Sequence, residues 1–324
     1  MSDAVPCVRA IAYAFPDGTA TVRELAARGA LESSPATLEA FGFGRVHVAE
    51  RETPYELALA AASRLLREHD VDPESVGLLI YGGAPAAVAF APASGASAAA
   101  AAGAGTMERF RYPVTRLQYD LGLGGATTFA LDQLACTTLL GAVRVARALC
   151  LSEGIERALC VASEFFPASA GREAIFNCTS DAACAVLVER GGERNRVVGA
   201  HTVTKGYYWD PMAMRDEVVA SYFPTARHAI HRTLDAAGWG PADVDWVMPH
   251  NVSARSWEIL LRLAALPNAR LWTDNIARRG HTLAGDNFIN LSDAIACGAV
   301  TPGQRVLLFA YGFGAQWTGL ALEA

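Results

Sequence analysis

The chain has 324 residues, with 33 acidic and 27 basic side chains and a formal net charge of −6. Its 52% of hydrophobic and 19% of charged residues supply a large buried core and exclude a disordered chain. The acidic balance argues against a nucleic-acid binder, which clusters Lys and Arg. Lys205 is the one lysine, so positive charge rests on arginine, a residue suited to bidentate pairing with anionic partners.

The N-terminus is short and polar and lacks the apolar stretch of a signal peptide. The most hydrophobic tract, 83–105, is mostly alanine broken by proline and glycine, a poor membrane span. These features lead us to expect a soluble, cytoplasmic protein. Seven cysteines without CxxC spacing give no zinc pattern and no metal site. Cys150, Cys160, Cys184 and Cys297 read as small buried hydrophobes.

In chain order, Thr53-Pro54-Tyr55-Glu56 is a capping box opening a helix to about His69, and a buried strand follows at 76–81. The alanine-rich tract and 106–112 then form a long irregular insertion, a candidate lid or partner surface. A strand at 127–131 leads through a sharp turn to Cys136, which begins a helix to about Leu151. There the unpaired N–H groups and the helix dipole favour thiolate over thiol and make Cys136 the nucleophile candidate. Strands are expected at 154–161 and 182–189, and Tyr207-Tyr208-Trp209 could line a pocket. A helix ending near Ala237 precedes a strand at 244–248, which runs into Pro249-His250-Asn251. His250 faces the same crevice as Cys136 if the sheet is open, and could set the protonation of the sulfur or hydrogen-bond a thioester carbonyl. Gly280-His281 through Asp286-Asn287 form a third polar cluster before a helix from Phe288. Tyr311-Gly312-Phe313-Gly314-Ala315 join the last two strands in a turn able to aim N–H groups at an oxyanion.

The order of the first half recurs in the second: Pro73, Val76 and Leu79 match Pro241, Val244 and Val247. The segment from Gly154 to Val161 resembles that from Pro302 to Phe309. We therefore expect an α/β protein made of two βα-rich halves, 1–191 and 192–324, the first carrying the cysteine and the second the histidine and aspartate.

Four segments in order, Leu134-Ala135-Cys136-Thr137-Thr138, Ser180-Asp181-Ala182-Ala183, Val247-Met248-Pro249-His250-Asn251 and Tyr311-Gly312-Phe313-Gly314, resemble the ketoacyl-ACP synthase III family of thiolase-fold condensing enzymes. The resemblance implies a five-layered αβαβα sandwich and a homodimer. It also implies an acyl thioester on Cys136, with the backbone N–H groups of Cys136 and Phe313 as the oxyanion hole. No bound cofactor is implied, only an acyl thioester donor. His281 stands where the family places an asparagine that polarises the extender thioester, and Asp286 adds a carboxylate that would repel a developing enolate. A carboxylate beside His250 instead suits orienting a general base. Cys-His-Asp sites resembling this one occur in thiolase-fold enzymes of antibiotic pathways that transfer acyl groups to oxygen or nitrogen. The expectation is therefore a Cys136–His250–Asp286 acyltransferase acting on a small-molecule acceptor. His281, Asn287, Gly312, Gly314, Tyr207 and Trp209 are expected in supporting or substrate contacts. The family's tryptophan and arginine for coenzyme A are missing before 41–45, while Arg255 matches its basic position for docking a carrier protein. An acyl-carrier protein is therefore the expected donor. A decarboxylating starter-unit synthase and a non-catalytic partner subunit are the alternatives.

Overall fold

The computed structural model describes residues 5–83, 89–91, 107, 110–166, 170–175 and 177–324. Nearly all of the alanine-rich insertion expected as a lid lies outside the described residues. The capping box forms as read from the sequence: Thr53 caps Glu56, Glu56 returns to the Thr53 N–H, and helix α1 (Pro54–Glu68) follows with Pro54 in its first turn.

Ten strands among the described residues form one sheet. They are β1 (Cys7–Ala14), β2 (Leu78–Gly83), β3 (Thr127–Leu131), β4 (Arg157–Glu164), β5 (Ala182–Glu189), β6 (Arg196–Thr204), β7 (Trp246–Pro249), β8 (Arg270–Leu271), β9 (Arg305–Gly312) and β10 (Gln316–Glu323). The order across the sheet is β8-β7-β9-β10-β6-β1-β5-β4-β2-β3. Read outward from the centre, each half begins with its own first strand and then repeats the same pattern. A single Cα pairing, Cys7 with Arg196, joins β1 to β6. The halves are therefore free to fold over one another rather than extend as a flat ribbon.

Side-chain alternation along the strands, with period two, sorts the core into layers. Leu78 and Ile80 of β2 face a middle layer with Leu139, Val143 and Phe288, where they meet Met248, Leu308 and Leu320 from the other half. Leu79 and Tyr81 face outward onto Leu65 of α1 and Leu117 of α2 (Pro113–Asp120). In the second half Val247, Leu307 and Phe309 face outward onto Ile230 and Trp257. The middle layer holds α3 (Thr138–Ser152) and α7 (Asp286–Ala296). The outer layer of the second half holds α4 (Arg215–Ala237) and α5 (Ala254–Leu263), and the short α6 (Asp274–Arg279) follows β8 in the chain. This is the five-layered αβαβα thiolase arrangement. Each fully buried Leu, Ile or Phe contributes about 1.5–3 kcal/mol, and the middle layer, covered on both sides, gains most from this.

Residues 135–152 are long and apolar enough to cross a membrane by length and composition. Here Leu139, Leu140, Val143, Ala146 and Cys150 of this segment pack into the middle layer instead. Six cysteines are buried, but Cys297 is exposed, against the expectation from its apolar neighbours. It caps the C-terminus of α7 at the solvent side, where the helix stripe no longer faces the core.

Candidate active site

Cys136 is delivered by a strained turn. After β3, Gln133 (φ 64°) and Ala135 (φ 46°) both adopt the left-handed region, which costs a non-glycine residue of order 1–3 kcal/mol. Side chains brace the turn. The Thr137 hydroxyl donates to the Leu134 carbonyl at 2.7 Å and the Thr138 hydroxyl to the Ala135 carbonyl at 2.7 Å. Cys136 sits in a 3-10 turn (Ala135–Thr137), one step before α3 rather than within its first turn. The sulfur is buried, with 6% of the residue exposed.

The partner of the sulfur is His281. Its Nε2 lies 3.2 Å from Cys136 Sγ, and its Nδ1 lies 2.5 Å from Asp286 Oδ2. A carboxylate can only accept, so Nδ1 carries the proton on that side and Nε2 is turned to the sulfur. Asp286 is fixed in turn. Its Oδ1 accepts from the Thr282 N–H at 2.7 Å and hydroxyl at 2.6 Å, and its Oδ2 from the Asn251 N–H at 2.6 Å. Burial alone would lower the basicity of His281, but the Asp286 carboxylate and the Cys136 sulfur outweigh it and hold the imidazole pKa well above its ordinary value. The backbone of His281 is pinned to the first half: its N–H donates to the Cys178 carbonyl and its carbonyl accepts from the Ser180 N–H, both at 2.8 Å. Gly280 (φ 66°) makes this close approach possible, since a Cβ there would meet Val46 at 2.7 Å and the Cys178 oxygen at 2.9 Å.

This arrangement corrects the pairing expected from the sequence. Asp286 reaches His281, not His250. The turn at Leu283 (φ 53°) and the 3-10 segment Leu283–Gly285 fold the start of α7 back onto His281, five residues earlier. His250 is held elsewhere. Its N–H meets the Phe309 carbonyl at 3.3 Å, its own carbonyl accepts from Trp257 Nε1 at 3.0 Å, and its ring stands 5.9 Å from that of His281. Burial, reinforced by the nearby His281, pushes its pKa down to about 3, so the ring is neutral.

Asn287 ties strand ends together rather than facing the crevice: its amide donates to the carbonyls of Met248 and Phe309 at 2.8 and 2.9 Å. Gly312 packs against the nucleophile turn. A Cβ there would lie 2.5 Å from the Leu134 oxygen and 3.3 Å from the Cys136 nitrogen. Phe313 and Tyr311 line the cavity above Cys136, and Gly314 (φ 126°) completes the turn. Tyr207 and Trp209 are 66% and 74% exposed and stand apart from the cavity lining. Arg255 is exposed on α5.

The cavity encloses about 350 Å³ and reaches Cys136, His250 and His281. One wall depends on an ion pair invisible in the sequence. Arg172 grips Asp181 through Nη1 and Nη2 at 2.7 and 2.9 Å, both side chains nearly fully buried. Asp181 also accepts from the N–H groups of Ala49 and Phe166 at 2.8 and 2.9 Å, which fixes Phe166 against the cavity.

Residues 132–206 match the model of the 3-oxoacyl-[acyl-carrier-protein] synthase III family, and residues 234–324 match the model of its C-terminal part. The chain is 30% identical over 234 residues to β-ketoacyl-[acyl-carrier-protein] synthase III 2 of Streptomyces coelicolor, covering 65% of this chain and 68% of that protein. It superposes on 3-oxoacyl-[acyl-carrier-protein] synthase III of Aquifex aeolicus with a TM-score of 0.80 at 21% identity, over 98% of this chain and 100% of that one. It superposes equally, TM-score 0.80 at 19% identity, on a chain described as ChlB3, an acyltransferase, over 99% and 98% of the two chains.

Proposed function

The chain belongs to the 3-oxoacyl-[acyl-carrier-protein] synthase III family, and from that premise we propose that it is an acyltransferase rather than a condensing enzyme. The observation that supports this reading is the buried relay Cys136–His281–Asp286. In the first half-reaction His281 Nε2 holds the proton released by the Cys136 thiol, the sulfur attacks the donor thioester, the bond from the acyl carbon to the donor sulfur breaks, and the departing thiolate takes that proton. The N–H groups of Cys136 and Phe313 hold the developing oxyanion, a contribution of about 2.7–4 kcal/mol per donor. In the second, His281 Nε2 takes the proton from a hydroxyl or amine as it attacks the acyl carbon. Asp286 holds the ring in the required tautomer and stabilises the imidazolium. His250, neutral and beside His281, is placed to donate a hydrogen bond to a thioester carbonyl.

Two features favour a carrier protein as donor. No Lys or Arg is among the described residues lining the cavity, so none of these supplies a cation for nucleotide phosphates, and Arg255 is exposed on the surface. The acceptor is a small molecule of a secondary-metabolite pathway. A homodimer fits the open edge of the sheet at β3, where Phe129 is 46% exposed. The names of the related synthases favour the second reading, decarboxylative condensation. Intact-mass measurement of enzyme incubated with acyl-carrier proteins separates the two. We expect an acyl adduct on Cys136, absent in Cys136→Ala, that is discharged onto a hydroxyl or amine without a malonyl donor. Carbon dioxide release with a β-keto product would overturn the reading.

A further inference from the structure

Behind the relay stand three buried asparagines, Asn251, Asn275 and Asn290. A buried amide is costly unless its donors and its acceptor are hydrogen-bonded. Asn251 meets both partners of the His281–Asp286 pair. Its backbone N–H donates to Asp286 Oδ2 at 2.6 Å, and its side-chain Nδ2 donates to the Gly280 carbonyl at 2.9 Å. That carbonyl belongs to the peptide bond entering His281, so one residue grips the carboxylate and the histidine backbone together.

Asn290 fixes Asn251 in turn. It lies four residues after Asp286, on the same face of α7, in a helix that otherwise buries Phe288, Ile289 and Leu291. Its Nδ2 donates to the Pro249 carbonyl at 2.8 Å and to Asn251 Oδ1 at 2.9 Å. Its Oδ1 accepts from Asn275 Nδ2 of α6 at 2.9 Å, and Asn275 also donates to Asp293 Oδ2 at 3.0 Å. Asp293 accepts from Tyr13 Oη at 2.6 Å and Arg279 Nη2 at 3.1 Å. None of the three asparagines is among the residues lining the cavity. Their hydrogen bonds run toward the relay instead.

We propose that Asn251 is a positioning residue that sets the spacing of His281 and Asp286, and that Asn290 holds the Asn251 side chain in the orientation this requires. The role belongs to the resting relay and is the same whether the acyl group passes to oxygen, nitrogen or carbon.

Alkylation of Cys136 by iodoacetamide, followed by intact mass, reads the relay without any substrate. Cys297, the one exposed cysteine, is first replaced by serine. Asp286 holds a proton on His281, and the imidazolium holds the sulfur as thiolate, the form that is alkylated. We expect Asn251→Ala to move the midpoint of the rate-against-pH profile up by roughly 0.5–1 pH unit, the worth of one hydrogen bond. The plateau rate at high pH should stay unchanged. The titratable groups facing His281 are Asp286, Cys136, His250 and Glu164, and this substitution keeps all four. Asn290→Leu, which keeps the volume of the side chain, should move the midpoint the same way by less. In an Asp286→Asn background neither substitution should move it further, because the carboxylate through which they act is gone. An unmoved midpoint in Asn251→Ala protein that a thermal melt shows to be folded would overturn the proposal. So would a full shift in the Asp286→Asn background, and if Asn251→Ala does not fold, Asn290→Leu decides by the same two criteria. Absence of any acyl adduct on Cys136 with thioester donors would instead overturn the acyltransferase reading and leave this assignment standing.

Discussion

Replacing Asp286 with asparagine is expected to slow discharge of the acyl-enzyme by roughly 10²–10⁴-fold, the range of a lost general base, while the acyl adduct remains detectable. The carboxylate oxygen 2.5 Å from His281 Nδ1 fixes the proton there and leaves Nε2 to act on the sulfur and the acceptor. An amide in its place can present N–H to Nδ1, which favours the opposite tautomer and leaves Nε2 carrying the proton it should receive. Asparagine keeps the volume of the site and an oxygen for the Thr282 or Asn251 N–H, so the fold should survive better than with alanine. Single-turnover discharge followed by intact mass, with a thermal melt as the control for folding, reads the effect. A rate within a few-fold of the wild type would show that the carboxylate serves only to anchor Thr282 and the Asn251 backbone.

The largest effect on stability is expected at Arg172. Its exchange for methionine strands the Asp181 carboxylate in the interior and should cost about 3–5 kcal/mol, the usual penalty for removing one partner of a buried pair. Among the described residues, Asp181 then retains as donors only the N–H groups of Ala49 and Phe166. Phe166 should loosen as well, so affinity for both substrates should fall with stability. Adding Asp181→Asn should recover part of the loss, because the uncompensated charge is removed while an oxygen remains for the two N–H groups. Denaturant unfolding checks both variants. A single variant within about 1 kcal/mol of wild type would mean that water reaches the site and screens the charge.

Much of the fold was legible because its signals are local. The Thr53 capping box, the strand alternation and the paired Gly/Pro turns of the two halves each name their element without reference to distant residues. Cys136 was legible for the same reason, as a cysteine at a strand-to-helix turn. The partner of Asp286 was not legible because it depends on a contact between halves, and the carboxylate meets His281 rather than His250. His250 lies on the strand end nearest in pattern to a catalytic position, yet burial beside a second imidazole leaves it neutral. His281 acquires its role from the Cys178 and Ser180 backbone that anchors it and from the fold-back at Leu283. The five-residue spacing of His281 and Asp286 was visible, but two residues five apart share no helical face, and only the 3-10 turn between them brings the carboxylate round. Arg172–Asp181 left no sequence signal, because the pair is defined by what surrounds it.

The assignment of the base is tested most directly by comparing His281→Ala with His250→Ala in one experiment, the single-turnover discharge of pre-formed acyl-enzyme onto an alcohol. The relay described here predicts that the adduct persists in His281→Ala, with discharge slowed by roughly 10²–10⁴-fold, while His250→Ala still discharges at a rate much closer to wild type. Persistence of the adduct in His250→Ala with brisk discharge in His281→Ala would contradict it.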